Sequence, residues 1–242
     1  MNDTHADVPA PRSLAVISGG GSGIGRAAAL ALAARGYRLA LVGRKRETLA
    51  AVVDECGSEG QVFVADVRDA GRISEVAVEI AARLGAPAVV VAAAGIAPVA
   101  RFEELSPDEF RATIETNLVG SANLFRAFLP AMTRAGAGTL VAILSVAARR
   151  VFPGWSAYAA SKWGLLGLVE TLREELAGTG VRVLALTPGA TETPLWNHVA
   201  GEWDRAKMIP AEEVARALVW ALDSGARVQV EEIRLQPPGG NL

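Results

Sequence analysis

The stretch YAASK at residues 158–162 sets a phenol four residues ahead of an ammonium in an otherwise small-residue, helical run. On a helix, positions i and i+4 share a face one turn apart, so Tyr158 and Lys162 would be side-by-side neighbours. A free tyrosine has a pKa of ~10 and moves protons poorly near neutrality, whereas a nearby positive charge favours its phenolate. The pair reads either as an acid/base couple or as a packed tyrosine beside a solvated lysine.

A second chemical signal lies upstream. In SGGGSGIG at residues 18–25, Gly19, Gly23 and Gly25 are spaced G-x-x-x-G-x-G between an apolar run and an alanine-rich one. Glycines in a strand-turn-helix context let main-chain N–H groups approach a pyrophosphate, and a helix N-terminus favours its charge. The bland alternative is a merely flexible turn. The end of the next strand should then read the adenosine ribose. An acid there accepts from a 2'-hydroxyl, and an arginine accommodates a 2'-phosphate. Gly43 stands where the acid is expected, and Arg44 and Lys45 follow it. The planar fork of arginine matches phosphate oxygens, which favours NADP(H) over NAD(H), against the alternative of a solvated basic helix start. Asp66, closing the third apolar run, is the expected acceptor for the adenine amino group.

Apolar runs at 13–18, 38–43, 61–65, 87–93, 138–145, 181–187 and 228–235 read as strands, because strands buried on both faces lose their polar alternation. Helical patterns near 23–35, 45–56, 71–84, 107–134, 156–178 and 211–223 alternate with them. The repeated βα order predicts a single α/β domain over 12–242, a doubly wound parallel sheet of about seven strands with helices on both faces. Residues 1–11 read as a loose tail. Residues 189–209, irregular and at the carboxyl end of the sixth strand, read as a lid.

With 51% hydrophobic residues and a net charge of -2, the chain offers no basic field for nucleic acid or an anionic membrane. No apolar run reaches a membrane span of ~18 residues. Cys56 is the lone cysteine, and the two histidines, His5 and His198, lie far apart, so neither a disulfide framework nor a metal centre is expected. A cytoplasmic location follows as the expectation.

Together SGGGSGIG, AAAG at 92–95, NLVG at 117–120, Ser145, YAASK and PGATET at 188–193 resemble the classical short-chain dehydrogenase/reductase family, over residues 12 to 240. The resemblance implies a Rossmann fold and a catalytic set of Asn117, Ser145, Tyr158 and Lys162. Tyr158 would be the general acid/base, Ser145 would hydrogen-bond the reacting oxygen, Lys162 would hold the nicotinamide ribose, and Asn117 would position a water that relays protons to Lys162. It implies cofactor contacts at Ser18, Gly19, Gly21, Ser22, Gly23, Ile24 and Gly25, at Arg44, Lys45, Asp66 and Val67, and at Ala93 and Gly95. Further contacts fall at Tyr158, Lys162, Pro188, Gly189, Thr191 and Thr193.

It also implies a homodimer or homotetramer built on the helices at 107–134 and 156–178. The chain departs from the family where Ala92, Ala93 and Ala94 replace asparagines that would brace the cofactor pocket, and where Ser22 stands at a position often basic in NADP-preferring relatives.

The substrate, a small carbonyl compound or alcohol, would meet Arg149, Phe152, Trp155 and Trp196. The aromatic residues, with Trp203, suit a hydrophobic or aromatic molecule, and Arg149 or Arg150 would meet a carboxylate or phosphate. Three readings stand: an NADP(H)-dependent ketone, aldehyde or 3-oxoacyl reductase; an NAD-dependent alcohol dehydrogenase; and a catalytically weak dinucleotide-binding regulator.

Overall fold

The computed structural model describes residues 13–57, 60–199, 203–225 and 227–240. The expected tail at 1–11 and part of the expected lid, residues 200–202, lie outside the described residues. Seven parallel strands form one sheet in the order β3-β2-β1-β4-β5-β6-β9. They are β1 (Leu14–Ser18), β2 (Arg38–Gly43), β3 (Gly60–Val64), β4 (Val89–Ala92), β5 (Gly138–Ile143), β6 (Val181–Pro188) and β9 (Glu232–Leu235). This is the expected doubly wound α/β Rossmann fold. The order reverses between β1 and β4, and a crevice opens there at the carboxyl ends of the strands.

The strands alternate between two cores, as a period of two requires. Leu14 and Val16 join one core with Ile73, Leu124, Phe125 and Leu165, which come from α3 (Ala70–Leu84), α5 (Gly120–Ala135) and α6 (Ser156–Glu175). Ala15 and Ile17 join the other, against Ala28, Leu49 and Leu218 from α1 (Gly23–Ala34), α2 (Arg46–Cys56) and α7 (Ala211–Leu222). Both faces of β1 are therefore dry, which is why its sequence is unbroken apolar.

Local signals set the helix boundaries. Asp69 caps α3 by accepting from Arg72 N at 2.9 Å. Ser106 and Glu109 close a reciprocal capping box on α4 (Pro107–Ile114), with Pro107 in its first turn where a missing N–H costs nothing. The helix expected over 107–134 is not one α-helix. Residues Glu115–Val119 form a π-helical turn between α4 and α5. The last strand begins at Glu232, four residues later than expected, and α6 ends at Glu175, before the positive-φ residues Gly178 and Gly180.

The expected lid has structure of its own. Two short strands, β7 (Thr191–Glu192) and β8 (Ile209–Pro210), pair in parallel and pin its base, helped by Ile209 N donating to Ala190 O at 2.8 Å. Between them lie 3-10 turns at Pro194–His198 and Arg205–Lys207.

Candidate active site

A cleft of about 1040 Å³ opens at the reversal point. It brings together every cofactor, catalytic and substrate residue expected from the sequence except Ser18, Gly25, Asn117, Arg149 and Arg150.

At one end the glycine turn is shaped by close approach. A Cβ on Gly19 would lie 2.7 Å from Ala94 N, and one on Gly25 would lie 2.3 Å from Gly19 O, so neither position tolerates a side chain. Gly19 and Gly23 also take positive φ, 68° and 51°. Gly25 thus packs α1 onto the turn from behind. The first turn of α1 carries no acid, and Ser22 at its N-cap makes no side-chain bond to the helix. Its N–H groups and dipole are left to an anion at the cleft floor. A glycine cradle at a helix N-terminus, with Arg44 and Lys45 beside it, fits a dinucleotide.

Arg44 is exposed, makes no hydrogen bond among the described residues, and helps lower the Asp66 pKa by its charge. The main cause of that lowering is Arg68, whose guanidinium donates to both Asp66 oxygens at 2.6 to 3.1 Å. The Asp66 carboxylate is thus already paired. Val67 is buried against Gly120, where a Cβ would meet its Cγ2 at 2.5 Å.

The bracing that AAAG cannot supply comes from two residues behind the wall. Ser18 Oγ accepts from Ala93 N at 3.3 Å and Ala94 N at 3.4 Å while donating to Val91 O at 3.4 Å, tying the ends of β1 and β4. Asn117, fully buried, accepts from Ile96 N at 2.9 Å and donates both to Ile96 O and to Ser161 Oγ, each at 2.9 Å. Ser161 in turn donates to Tyr158 O at 2.7 Å. The Asn117 side chain is therefore committed to a brace between the strand-four loop and α6, where a water-positioning group was expected. Asn117 lies in the π-helical turn, whose extra residue per turn breaks the α-helical register at this position.

Ser145 follows β5 and caps a 3-10 turn, accepting from Ala147 N at 3.2 Å. Its side chain shares the cleft lining with the Tyr158 phenol and lies close enough to act on its titration. Burial raises the phenol's pKa above its ordinary value because a phenolate would lose hydration, and the Ser145 hydroxyl opposes this more weakly. Lys162 is 5% exposed, donates from Nζ to Ile143 O at 2.7 Å, and stands 5.5 Å from the centre of the Tyr158 ring. Burial lowers its pKa to about 8. The sequence-based expectation that Lys162 pulls the phenol's pKa down is corrected here: desolvation dominates both groups.

Over the cleft, Thr193 closes on the glycine turn, with its Cγ2 3.1 Å from where a Gly23 Cβ would sit. Thr191 is buried and donates to Gly189 O at 3.0 Å, and Gly189 N donates to Leu235 O at 2.8 Å, which fixes the turn after β6. Phe152, Trp155 and Trp196 line the far end, as does Trp203.

Arg149 does not line the cleft. It donates to Glu232 at 3.0 and 3.4 Å, because the β9 carboxylate, only 15% exposed, needs a cation. Sequence reasoning missed Glu232, an acid inside an apolar strand, and Ser161, which sits within YAASK itself and was passed over as a small helix residue.

The fold and cleft define an NAD(P)-dependent α/β oxidoreductase. The chain belongs to the short chain dehydrogenase family, whose model matches residues 13–203. It is 35% identical over 241 residues to a sepiapterin reductase of Chlorobaculum tepidum, covering 96% of this chain and 98% of that one. It is 33% identical to the glycine betaine reductase ATRR of Emericella nidulans over 95% of its own length, but it spans only 19% of that protein. Among solved structures, an alcohol dehydrogenase of Thermococcus sibiricus complexed with 5-hydroxy-NADP superposes with a TM-score of 0.87 at 34% identity, covering 94% of this chain and 97% of that one.

Proposed function

We propose that the protein is an NADP(H)-dependent reductase that interconverts a ketone, aldehyde or 3-oxoacyl carbonyl with its alcohol, using Tyr158 as general acid and base. The observation that carries this reading is the convergence of Ser145, Tyr158 and the buried Lys162 on one end of the cleft, with Lys162 anchored to Ile143 O and 5.5 Å from the Tyr158 ring centre. A bound nicotinamide supplies the hydride in reduction and takes it in oxidation.

A carbonyl oxygen set between Ser145 and Tyr158 receives the phenol's proton, and the Ser145 hydroxyl stabilises the charge that develops there. As the proton leaves, the Lys162 ammonium stabilises the phenolate left behind. A phenol of ordinary pKa ~10, raised further by burial, is protonated at neutral pH, which is the form that donates in reduction. Lys162 uses one of its three N–H donors on Ile143, leaving two for the ribose hydroxyls of the nicotinamide half. Asn117 acts as a positioning residue.

The NADP preference is supported by the absence of an acid at Gly43, by Arg44 at the cleft lining, and by the ligand of the Thermococcus relative. The reading includes a cytoplasmic homodimer or homotetramer, supported by Trp163, 50% exposed on α6, and by Val119, 41% exposed on the neighbouring π-helical turn. Among the described residues no helix is long and apolar enough to cross a membrane. Fluorescence titration with NADPH and NADH, followed by a carbonyl panel, tests the proposal. Tight NADPH binding with turnover of a carbonyl is expected, and binding without turnover of any would overturn it.

A further inference from the structure

Beyond Tyr158 the cleft wall is a continuous series of rings. Trp155 meets Tyr158 edge-to-face, with centroids 5.4 Å apart and planes at 69°. Trp196 meets Trp155 the same way at 5.8 Å and 60°, and Trp203 lies 5.0 Å from Trp196 at 58°. Aromatic pairs prefer such tilted arrangements at centroid distances of ~4.5–7 Å, because each ring's positive edge meets its neighbour's negative face. The series joins two elements. Trp155 is the N-cap of α6, while Trp196 and Trp203 lie on the segment between β7 and β8.

The charges of the cleft lie elsewhere. Among the described residues lining it, the cations are Arg44, Lys45 and Lys162. The first two follow β2, and the third is bonded to Ile143. Arg149 is taken by Glu232, and Arg150 does not line the cleft. The acids that line it, Asp66 and Glu109, are held by Arg68 and by the Ser106 capping box. A carboxylate or phosphate carried into the aromatic wall would lose its hydration and find no free cationic partner among the described residues lining that wall.

We infer that the carbonyl substrate is an uncharged compound whose planar aromatic ring adjoins the reacting carbon and continues the Tyr158–Trp155–Trp196 series. This rests on the reductase reading. It excludes substrates with an anionic group close to the carbonyl, and it makes Trp196 a specificity-determining residue.

The test measures NADPH oxidation by the full chain with benzaldehyde, para-carboxybenzaldehyde, cyclohexanecarbaldehyde and trimethylammonioacetaldehyde. Benzaldehyde should exceed its carboxylated counterpart in kcat/KM by about tenfold or more, and the saturated ring by about fivefold. In Trp196→Leu, which keeps an apolar side chain, the advantage over the saturated ring should fall below about twofold. Equal or better use of the carboxylated or trimethylammonium compound overturns the inference, as does an aryl preference that survives in the variant.

If NADPH binds and no carbonyl oxidises it, the reductase reading fails, and equilibrium dialysis decides the aromatic site separately. Tighter retention of benzaldehyde than of para-carboxybenzaldehyde by the wild type upholds the site. Equal retention overturns it.

Discussion

Lys162 stands 5.5 Å from the centre of the Tyr158 ring while its ammonium is anchored to Ile143 O at 2.7 Å. The two groups are displaced in opposite directions by one cause. Burial lowers the lysine's pKa to about 8 and raises the tyrosine's. As pH rises, the lysine therefore loses its charge before the phenol loses its proton.

A pH profile follows from that order. Proton donation by Tyr158 needs the charged ammonium to stabilise the phenolate, so kcat/KM for reduction should hold below about pH 8 and fall above it as Lys162 deprotonates. In Lys162→Arg, whose guanidinium keeps its proton beyond pH ~12, that limb should vanish whatever the residual rate. A limb unchanged in the variant would assign the titration to another group.

Arg44 should set the choice of cofactor. Arg44→Asp removes a forked donor and places an acid where a ribose hydroxyl would be read. The NADPH dissociation constant should rise about tenfold or more and the NADH constant should fall. Titration of both cofactors checks this, and an unchanged ratio removes Arg44 from the account.

Asn117 should matter first to stability. Asn117→Ala leaves Ile96 N–H and C=O unpaired and cuts the link through Ser161 to α6. At about 1–3 kcal/mol for each fully buried unsatisfied group, and less at the half-buried Ile96, the two lost partners should cost about 2–4 kcal/mol. Denaturant unfolding measures it, and a loss below about 0.5 kcal/mol, the ordinary range of surface changes, would show that the brace is not structural.

Much of this was legible in the sequence. The strand runs could be read because β1, β4 and β5 are covered on both faces. YAASK and the glycine turn carried the cleft, since each depends on spacing within one element. What could not be read depends on partners distant in the chain. Arg149 meets Glu232 across 83 residues, a pairing that no local pattern reveals, so it read as free for a substrate. The π-helical turn at Glu115–Val119 left no breaker residue to betray it. The tyrosine's pKa was misjudged because desolvation is a property of the packed wall, whereas only the lysine's charge was visible.

The half-buried Glu232 predicts an acid limit. Hydrogen bonds from Arg234, Thr187 and Arg149 outweigh the burial that alone would raise it, and hold the Glu232 carboxyl at about 2, below its ordinary 4.5. A group so depressed contributes stability that is fully present above pH 4.5 and is lost as pH falls toward 2, about 3 kcal/mol over the 2.5 units at ~1.4 kcal/mol each. Unfolding followed between pH 6 and 2 should show Glu232→Gln losing less stability than the wild type over that window. Parallel curves would place the acid sensitivity elsewhere.

The most direct measurement compares wild type with Tyr158→Phe, pairing steady-state NADPH oxidation with NADPH titration. The account predicts a loss of roughly 10²–10⁴ in kcat, the range of a general acid, with a cofactor dissociation constant within about twofold of wild type. A variant that retains the wild-type rate would contradict Tyr158 as the proton donor, and with it the role assigned to Lys162.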